Sequence, residues 1–295
     1  MKDKPSGLNG MLKQLRLGTL RDQYQPLADR ATQEKWSYPR YLQALCETEL
    51  SERQSRRIQR LLKQSKLPTS KSIEALEQNQ LPESVRRQLP SLLEGHFVDR
   101  AENILAFGLP GRGKTHLVCA IARELIIKQE RTVYFSSTFH LVQQLLIAKR
   151  DLTLENLLKK LDRYDIVILD DIGYVQQSAA EMEVLFTFLA ERYERRSLMI
   201  TSNLVFSQWD RIFKDAMTTA AAIDRLVHHS TILELTNESF RMKAAEDKLN
   251  KNQFLPLGGG GQGASPLQLH TNKSRTDGRN SCRQPVSVIV VKVTL

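Results

Sequence analysis

The sequence predicts an α/β fold: a parallel five-stranded sheet between helices, preceded by a small all-helical N-terminal domain. Three observations lead to this prediction. Short apolar runs alternate with helical stretches over residues 101–250, which is typical of a parallel sheet covered on both faces. Residues 8–66 instead show apolar residues at helical spacing. A glycine-rich loop joins the first apolar run to a helix.

The N-terminal region, residues 1–70, is predicted to form a small helical domain. Its helical pattern is interrupted at Trp36–Pro39, where the proline favours the start of a new helix. Residues 71–100 are polar and contain Pro82 and Pro90, which predicts a connector with one or two short helices.

The predicted sheet lies within residues 101–250. Five apolar runs have the length and composition of strands, at residues 104–107, 132–136, 165–169, 198–201 and 231–235. Helices are predicted near residues 114–129, 138–149, 153–162 and 179–195. Along the chain, one extra strand therefore separates the strand before the glycine-rich loop from the strand that ends in acidic residues.

Residues 251–295 are predicted to be a disordered tail, because a glycine-rich linker at 258–263 is followed by polar sequence. No run of about 18 apolar residues and no secretory signal is visible, which predicts a cytoplasmic protein without a membrane span. The three cysteines are far apart and fit neither disulfides nor metal ligation. Cys46 and Cys119 lie in apolar patterns, so we expect both to be buried.

The positive charge of the chain is concentrated in its flanks. Residues 1–100 carry 18 Lys and Arg against 12 Asp and Glu, and residues 251–295 carry 6 against 1. Residues 101–250 are nearly neutral, with 19 against 20. A basic appendage on a neutral domain favours a polyanionic partner such as nucleic acid, although a solvated basic surface has the same composition.

The glycine-rich loop, residues 108–115, has the sequence GLPGRGKT and matches G-x-x-x-x-G-K-[ST]. Glycines allow successive backbone N–H groups to point at phosphates, and the helix that follows adds its positive end. Lys114 is expected to reach the β- and γ-phosphates of ATP, and Thr115 to ligate Mg²⁺. The predicted nucleotide-binding residues are Gly108, Pro110, Gly111, Arg112, Gly113, Lys114, Thr115 and His116.

Acidic and polar residues end two later strands. Asp170 and Asp171 follow an apolar strand, so we expect Asp170 to hold Mg²⁺ through water and Asp171 to act as general base. In ATPases with this kind of phosphate-binding loop, glutamate usually takes the role predicted for Asp171. Aspartate has a shorter side chain, which predicts slow ATP hydrolysis without partners. Asn203 ends the next strand and is predicted to orient the attacking water. Spacing alone leaves Arg225 and Arg241 open between nucleotide contacts and surface salt bridges.

The motifs together resemble the AAA+ ATPases of the IstB/DnaC type. The resemblance covers about residues 8–250 and is closest to the transposition helper ATPases of insertion sequences. Its carrying segments include the loop at 108–115, Ile168–Tyr174, Ile200–Leu204 and Asp224–His228. Glu238-Ser-Phe-Arg241 is similar to a C-terminal element of the family.

This resemblance implies more than the motifs do. Arg225 would be a finger that acts on a neighbouring subunit, and Arg241 a second sensor of the nucleotide. ATP would drive assembly of a ring-shaped or helical homo-oligomer that binds duplex DNA and recruits or activates a transposase. Two departures stand out: Arg112 occupies a position that is commonly small or polar, and residues 254–295 show no family likeness.

A stripe of basic residues is predicted at residues 53–66, near the end of the N-terminal helical region. Six residues recur at spacings of 3, 1, 3, 3 and 3 and fall on one broad helical face: Arg53, Arg56, Arg57, Arg60, Lys63 and Lys66. Since no aromatic residues are interleaved, we expect contacts to the DNA backbone with little sequence readout. A solvated helix face is the alternative.

Two other functions share this chemistry. A replicative helicase loader of the DnaC type would use the same nucleotide site with a different protein partner, so the motifs alone do not separate it from a transposition helper. A nucleotide-gated scaffold that binds ATP but barely hydrolyses it is also consistent with an aspartate at position 171.

Overall fold

The sheet follows the predicted pattern. A computed structural model describes residues 7–173, 178–204, 226–237 and 239–240 of the chain. Its five strands are all parallel and lie in the order β2-β3-β4-β1-β5. Their bounds lie within one residue of the prediction: β1 Asn103–Phe107, β2 Val133–Ser137, β3 Ile166–Asp170, β4 Ser197–Ser202 and β5 Ser230–Glu234. The predicted parallel five-stranded sheet is thus confirmed.

Nine α-helices lie wholly within the described residues. Three form the N-terminal region: α1 Leu8–Gln14, α2 Gly18–Gln33 and α3 Tyr38–Ser65. The others are α4 Glu83–Glu94, α5 His96–Asp99, α6 Lys114–Gln129, α7 Thr138–Arg150, α8 Leu154–Asp162 and α9 Ala179–Arg192, with a 3₁₀ turn at Gln78–Gln80. Helix α3 starts at the predicted break, and α9 starts at a capping box formed by Ser178 and Glu181. Helix α9 ends three residues before the predicted residue 195, ahead of a turn in which Glu194 has a φ of 55°.

Alternate residues of each strand enter two different cores, because successive side chains of a strand point to opposite faces. Ile104 and Ala106 of β1 pack with α6 on one face. Leu105 and Phe107 pack on the other face with α7, α8 and α9. Both faces of the sheet are therefore covered by helices, as expected for parallel strands.

The segment predicted as a polar connector contributes to the first of these cores. Leu76, Leu81, Val85, Leu89 and Leu92 are buried there together with side chains of α6. All described residues belong to one compact unit that spans residues 1–250. The predicted division into domains at 70 and 100 stays a prediction, and the predicted tail, 251–295, lies outside the described residues.

The cysteine prediction was half right. Cys119 is buried in α6, and this burial raises the pKa of its thiol to about 12. Cys46 is exposed, so its predicted burial was wrong. It lies between the exposed Leu42 and Leu50 on α3, one helical turn from each, on a face that points to solvent. Within the described ranges, no helix combines the length and the apolar composition that a membrane crossing requires.

Arg192 joins the amino-terminal ends of β3 and β4 to helix α8. Its side chain is only 2% exposed and donates to the backbone oxygens of Leu161 at 2.9 Å, Tyr164 at 2.9 Å and Ser197 at 3.1 Å. Burial lowers the pKa of its guanidinium to about 10. One buried cation therefore satisfies carbonyls from three segments.

We predict that Arg192→Met destabilises the fold by about 3 kcal/mol or more, because several buried carbonyls lose their donor. Arg195→Met is the control, since the Arg195 side chain is 57% exposed and makes surface ion pairs; its effect should stay within about 1 kcal/mol. Urea denaturation measures both changes. Equal stability of the two variants would contradict the role assigned to Arg192.

Candidate nucleotide-binding site

A cavity of about 470 Å³ lies at the carboxyl edge of the sheet. It is lined by residues from the glycine-rich loop, the start of α6, the ends of β3 and β4, the segment before α4 and the segment after β5. They are Lys71, Ala75, Leu76, Glu77, Pro110, Gly111, Gly113, Lys114, Thr115, His116, Asp171, Asn203 and Phe240. Its position agrees with the general rule that parallel α/β sheets bind ligands at the carboxyl ends of strands.

The glycine-rich loop has the backbone that a phosphate site needs. Gly111 and Gly113 have φ values of 84° and 87°, a region that favours glycine. Gly113 precedes the first residue of α6, so the positive end of this helix faces the loop. The buried Lys114 donates from Nζ to the carbonyl oxygens of Gly108 at 2.7 Å and Leu109 at 3.2 Å. The ammonium group is thus held at the loop where phosphates would bind.

The two acidic residues are positioned by Thr201, a buried residue of β4. Thr201 Oγ1 donates to Asp170 Oδ1 at 2.7 Å and accepts from the backbone N–H of Asp171 at 2.8 Å. Asp171 has a φ of 57°, in the left-handed region that aspartate tolerates better than most residues. One hydroxyl group therefore fixes both the side chain of one aspartate and the backbone of the next.

Asn203 lines the cavity, and its side chain lies close to Gly173. Asn203 Oδ1 is buried and has no hydrogen-bond partner within the part of the chain that the structure describes. A Cβ atom at Gly173 would lie 2.6 Å from this oxygen, so only glycine leaves room for it. The amide is thus held beside Asp171 with an unused acceptor.

The structure brings together most of the predicted nucleotide-binding residues. Pro110, Gly111, Gly113, Lys114, Thr115 and His116 all line the cavity, together with Asp171 and Asn203. Gly108 contributes its carbonyl to Lys114, whereas Arg112 turns away and donates to the carbonyl of Leu235 at 3.3 Å. The predictions for Arg225 and Arg241 concern positions outside the described residues.

Sequence reasoning missed one wall of the cavity. Lys71 and Ala75–Glu77 come from the predicted connector, and Phe240 follows β5. His116 accounts for the placement of the connector, since its Nε2 lies 3.0 Å from the carbonyl oxygen of Ser72. The role of Thr201 was also missed, although the sequence Thr-Ser-Asn at the end of β4 was a usable signal.

The donors present fit a magnesium ion. Mg²⁺ prefers oxygen ligands and usually keeps several waters beside one or two protein groups and the phosphates. Thr115 lines the cavity, and Asp170 ends strand β3, which β4 separates from β1. This is a hard, oxygen-only donor set of the kind that accompanies a bound triphosphate.

The basic stripe is on the surface, but its residues differ in their surroundings. All six side chains are exposed. Arg53 pairs with Glu49 at 2.7 Å and Arg56 with Glu52 at 3.0 Å, and both carboxylates belong to α3 itself. Lys66 lies 5.2 Å from the ring centre of Tyr134. In the described ranges, Arg60 and Lys63 make no ion pair.

The fold and the site define a class of protein. A parallel sheet in the order found here, a glycine-rich loop between β1 and α6, and an acidic pair at the end of β3 are the parts of a P-loop ATPase of the AAA+ class. The chain belongs to the family of IstB-like ATP-binding proteins, whose model matches residues 10–248. The resemblance of the sequence to this family is thus confirmed.

Individual relatives agree with this assignment. One relative is a Sinorhizobium fredii protein named as an insertion sequence ATP-binding protein, y4iQ/y4nD/y4sD. The two sequences are 44% identical over 236 residues, which cover 80% of this chain and 79% of that protein. It is 36% identical to the protein named for the insertion sequence IS5376 of Geobacillus stearothermophilus, covering 81% and 96%. A crystal structure of a DNA replication initiation factor shares the fold, with a TM-score of 0.50, 20% identity and coverage of 65% and 58%.

We predict that Thr201→Val slows ATP hydrolysis roughly 10- to 100-fold, because Asp170 and Asp171 lose the hydroxyl that positions them. Thr201→Ser is the control, since serine keeps the hydroxyl group and should retain most of the activity. Steady-state phosphate release, at a temperature where both variants are folded, measures the effect. A valine variant as fast as the parent would contradict the positioning role.

Proposed function

We propose that this protein is an ATP-dependent DNA-binding regulator that assembles on duplex DNA and recruits or activates a transposase. The observation that carries the proposal is an exposed basic stripe on α3, a helix that packs directly against the ATPase core. Leu61 and Leu62 of α3 contact the core that contains α6. The names of the relatives, which tie them to insertion sequences, favour transposition over helicase loading.

ATP is proposed to bind with its phosphates at the loop and its base toward the connector. The N–H groups at the start of α6 and the ammonium of Lys114 supply positive charge for a triphosphate. Leu76 of the connector and Phe240 after β5 offer apolar surface at the walls of the cavity. Lys114 would exchange its two loop carbonyls for phosphate oxygens.

In the proposed hydrolysis, a water molecule attacks the γ-phosphorus and the bond to the β-phosphate oxygen breaks, giving ADP and phosphate. The Asp171 carboxylate accepts the proton of the attacking water. Asn203 orients this water through its amide, and Thr201 fixes the backbone of Asp171 at 2.8 Å. The two strand ends therefore supply complementary groups, a base and an orienting amide.

Magnesium is proposed to be held by Thr115 and, through water, by Asp170. When bound, the ion neutralises negative charge on the phosphate oxygens. The chain's own contribution is to keep the two oxygen donors in place, which Thr201 does for Asp170 through its 2.7 Å hydrogen bond.

A homo-oligomer, a ring or a helical array, is proposed from the family resemblance. Arg225 would then act as a finger toward the γ-phosphate of a neighbouring subunit, and Arg241 would sense the nucleotide within its own subunit. Both roles fit an ATPase whose activity rises when subunits assemble on DNA.

We predict that Asp171→Asn lowers the rate of ATP hydrolysis at least about tenfold and leaves ATP binding intact, because the amide cannot accept a proton. Binding of a fluorescent ATP analogue and steady-state phosphate release separate these two effects. Lys114→Ala is the comparison variant and should lose binding itself. Hydrolysis by Asp171→Asn at the parent's rate would remove Asp171 as the base.

The DNA surface is tested by replacing Arg56, Arg57, Arg60 and Lys63 with alanine. Arg53 and Lys66 are left in place, because Arg53 also donates to the carbonyl of Arg16 and Lys66 lies against Tyr134. We expect most of the affinity for random-sequence duplex DNA to be lost. The negative slope of log K against log salt should become shallower by about three to four.

Fluorescence anisotropy over a sodium chloride series, with Mg²⁺ and ATP present, makes this measurement. The matched control removes four exposed cations elsewhere: Arg87, Lys149, Lys159 and Lys160. If the stripe variant kept the parent's affinity at low salt, or if the control lost as much, α3 would not be the DNA surface.

A further inference from the structure

Glu130 lies where the P-loop helix α6 ends and the basic stripe of α3 passes over it. Its backbone closes the helix with a φ of 55°, a left-handed conformation that is usually taken by glycine or asparagine. A negative side chain at the end of a helix also opposes the helix dipole. Two local preferences thus disfavour glutamate at this position.

A contact with α3 offsets these local costs. Glu130 Oε2 lies 2.7 Å from Arg57 Nε, and the Glu130 side chain is only 24% exposed whereas that of Arg57 is 59% exposed. The pair joins the N-terminal helices to the ATPase section. Because Glu130 is partly shielded from water, its attraction for Arg57 is screened less than that of a fully exposed carboxylate.

Arg57 differs from its neighbours in the stripe in the position of the carboxylate with which it pairs. The carboxylates that pair with Arg53 and Arg56 belong to α3 itself, one helical turn away. Glu130 instead directly follows the helix that begins at Lys114, a residue of the candidate nucleotide site. Within the described part of the stripe, Arg57 is therefore the cation that is tied to the P-loop helix by an ion pair.

We propose that Glu130 occupies, in the free protein, the place that a DNA phosphate takes on Arg57 in the complex. Carboxylate and phosphate oxygens accept from the same guanidinium donors, so DNA either displaces Glu130 or binds close to its negative charge. In both cases Glu130 lowers the affinity for DNA. This inference rests on the proposed function, in which the stripe binds the DNA backbone.

The exchange has a signature in the salt dependence. Each phosphate contact releases counterions from DNA, which makes binding weaken as salt rises. A carboxylate that is set free in the complex attracts a cation again and cancels part of this release. Removing the charge of Glu130 should therefore strengthen binding and also steepen its salt dependence.

The experiment compares the full-length protein with its Glu130→Gln variant, using a random-sequence duplex with Mg²⁺ and ATP over a sodium chloride series. Glutamine keeps the size of the side chain and removes its charge. We expect roughly two- to tenfold tighter binding at low salt and a slope steeper by up to about one. Glu155→Gln is the control, since Glu155 is an equally negative residue of α8 whose partner is Lys159.

A second pair of variants assigns the effect to Arg57. In an Arg57→Gln background, Glu130→Gln should bring no further gain, because the cation for which phosphate and carboxylate compete is gone. A gain that persists there, or an equal gain from Glu155→Gln, overturns the inference in favour of a general charge effect. Unchanged binding by Glu130→Gln also overturns it.

The two proposals fail in different ways. If Glu130→Gln has no effect while the four-residue stripe variant loses DNA binding, the competition is wrong and the DNA surface stands. If the stripe variant binds DNA like the parent, the DNA surface is wrong and the inference about Glu130 falls with it. Thermal unfolding of each variant confirms that the proteins compared are folded.

Discussion

The nucleotide site depends on strand β4 lying between β1 and β3. Through this pairing, the end of β4 contacts both the glycine-rich loop and the acidic pair: Gly108 donates to the carbonyl of Ser202 at 3.3 Å, and Asp171 to the hydroxyl of Thr201 at 2.8 Å. A shift of one residue in this register would point Thr201 to the opposite face of the sheet. The parallel ladder therefore sets the distance between the phosphate loop and the acidic residues.

Helix α6 is the second constraint, because it begins at the candidate nucleotide site and ends just before Glu130, which pairs with the basic stripe. Its first residue is Lys114, most of its length is buried between the sheet and α4, and its last turn leads into Glu130. Helix α6 therefore connects the glycine-rich loop to the basic stripe through one packed element.

Much of the fold was accessible from the sequence because its signals are local. Strand and helix periodicity, the glycine-rich loop and the acidic strand end each involve fewer than about 20 consecutive residues. The wall formed by Leu76 and Glu77 was not predicted, because a polar segment gives no local sign that it will fold over the start of α6. The exposure of Cys46 was missed for a related reason: its apolar neighbours Leu42 and Leu50 suggested a core, but none of the elements that the structure describes covers that face.

The aspartate at position 171 has a consequence for how hydrolysis and assembly relate. Its side chain is shorter than that of glutamate, and its left-handed backbone donates to the hydroxyl of Thr201 on the neighbouring strand. The position of the proposed base therefore depends on the pairing of β3 with β4. In the proposed function, such a base would leave hydrolysis slow until a neighbouring subunit completed the site. Slow hydrolysis would in turn keep ATP-bound subunits on DNA long enough to meet a partner, and the scaffold-like and motor-like functions would then be two stages of one cycle.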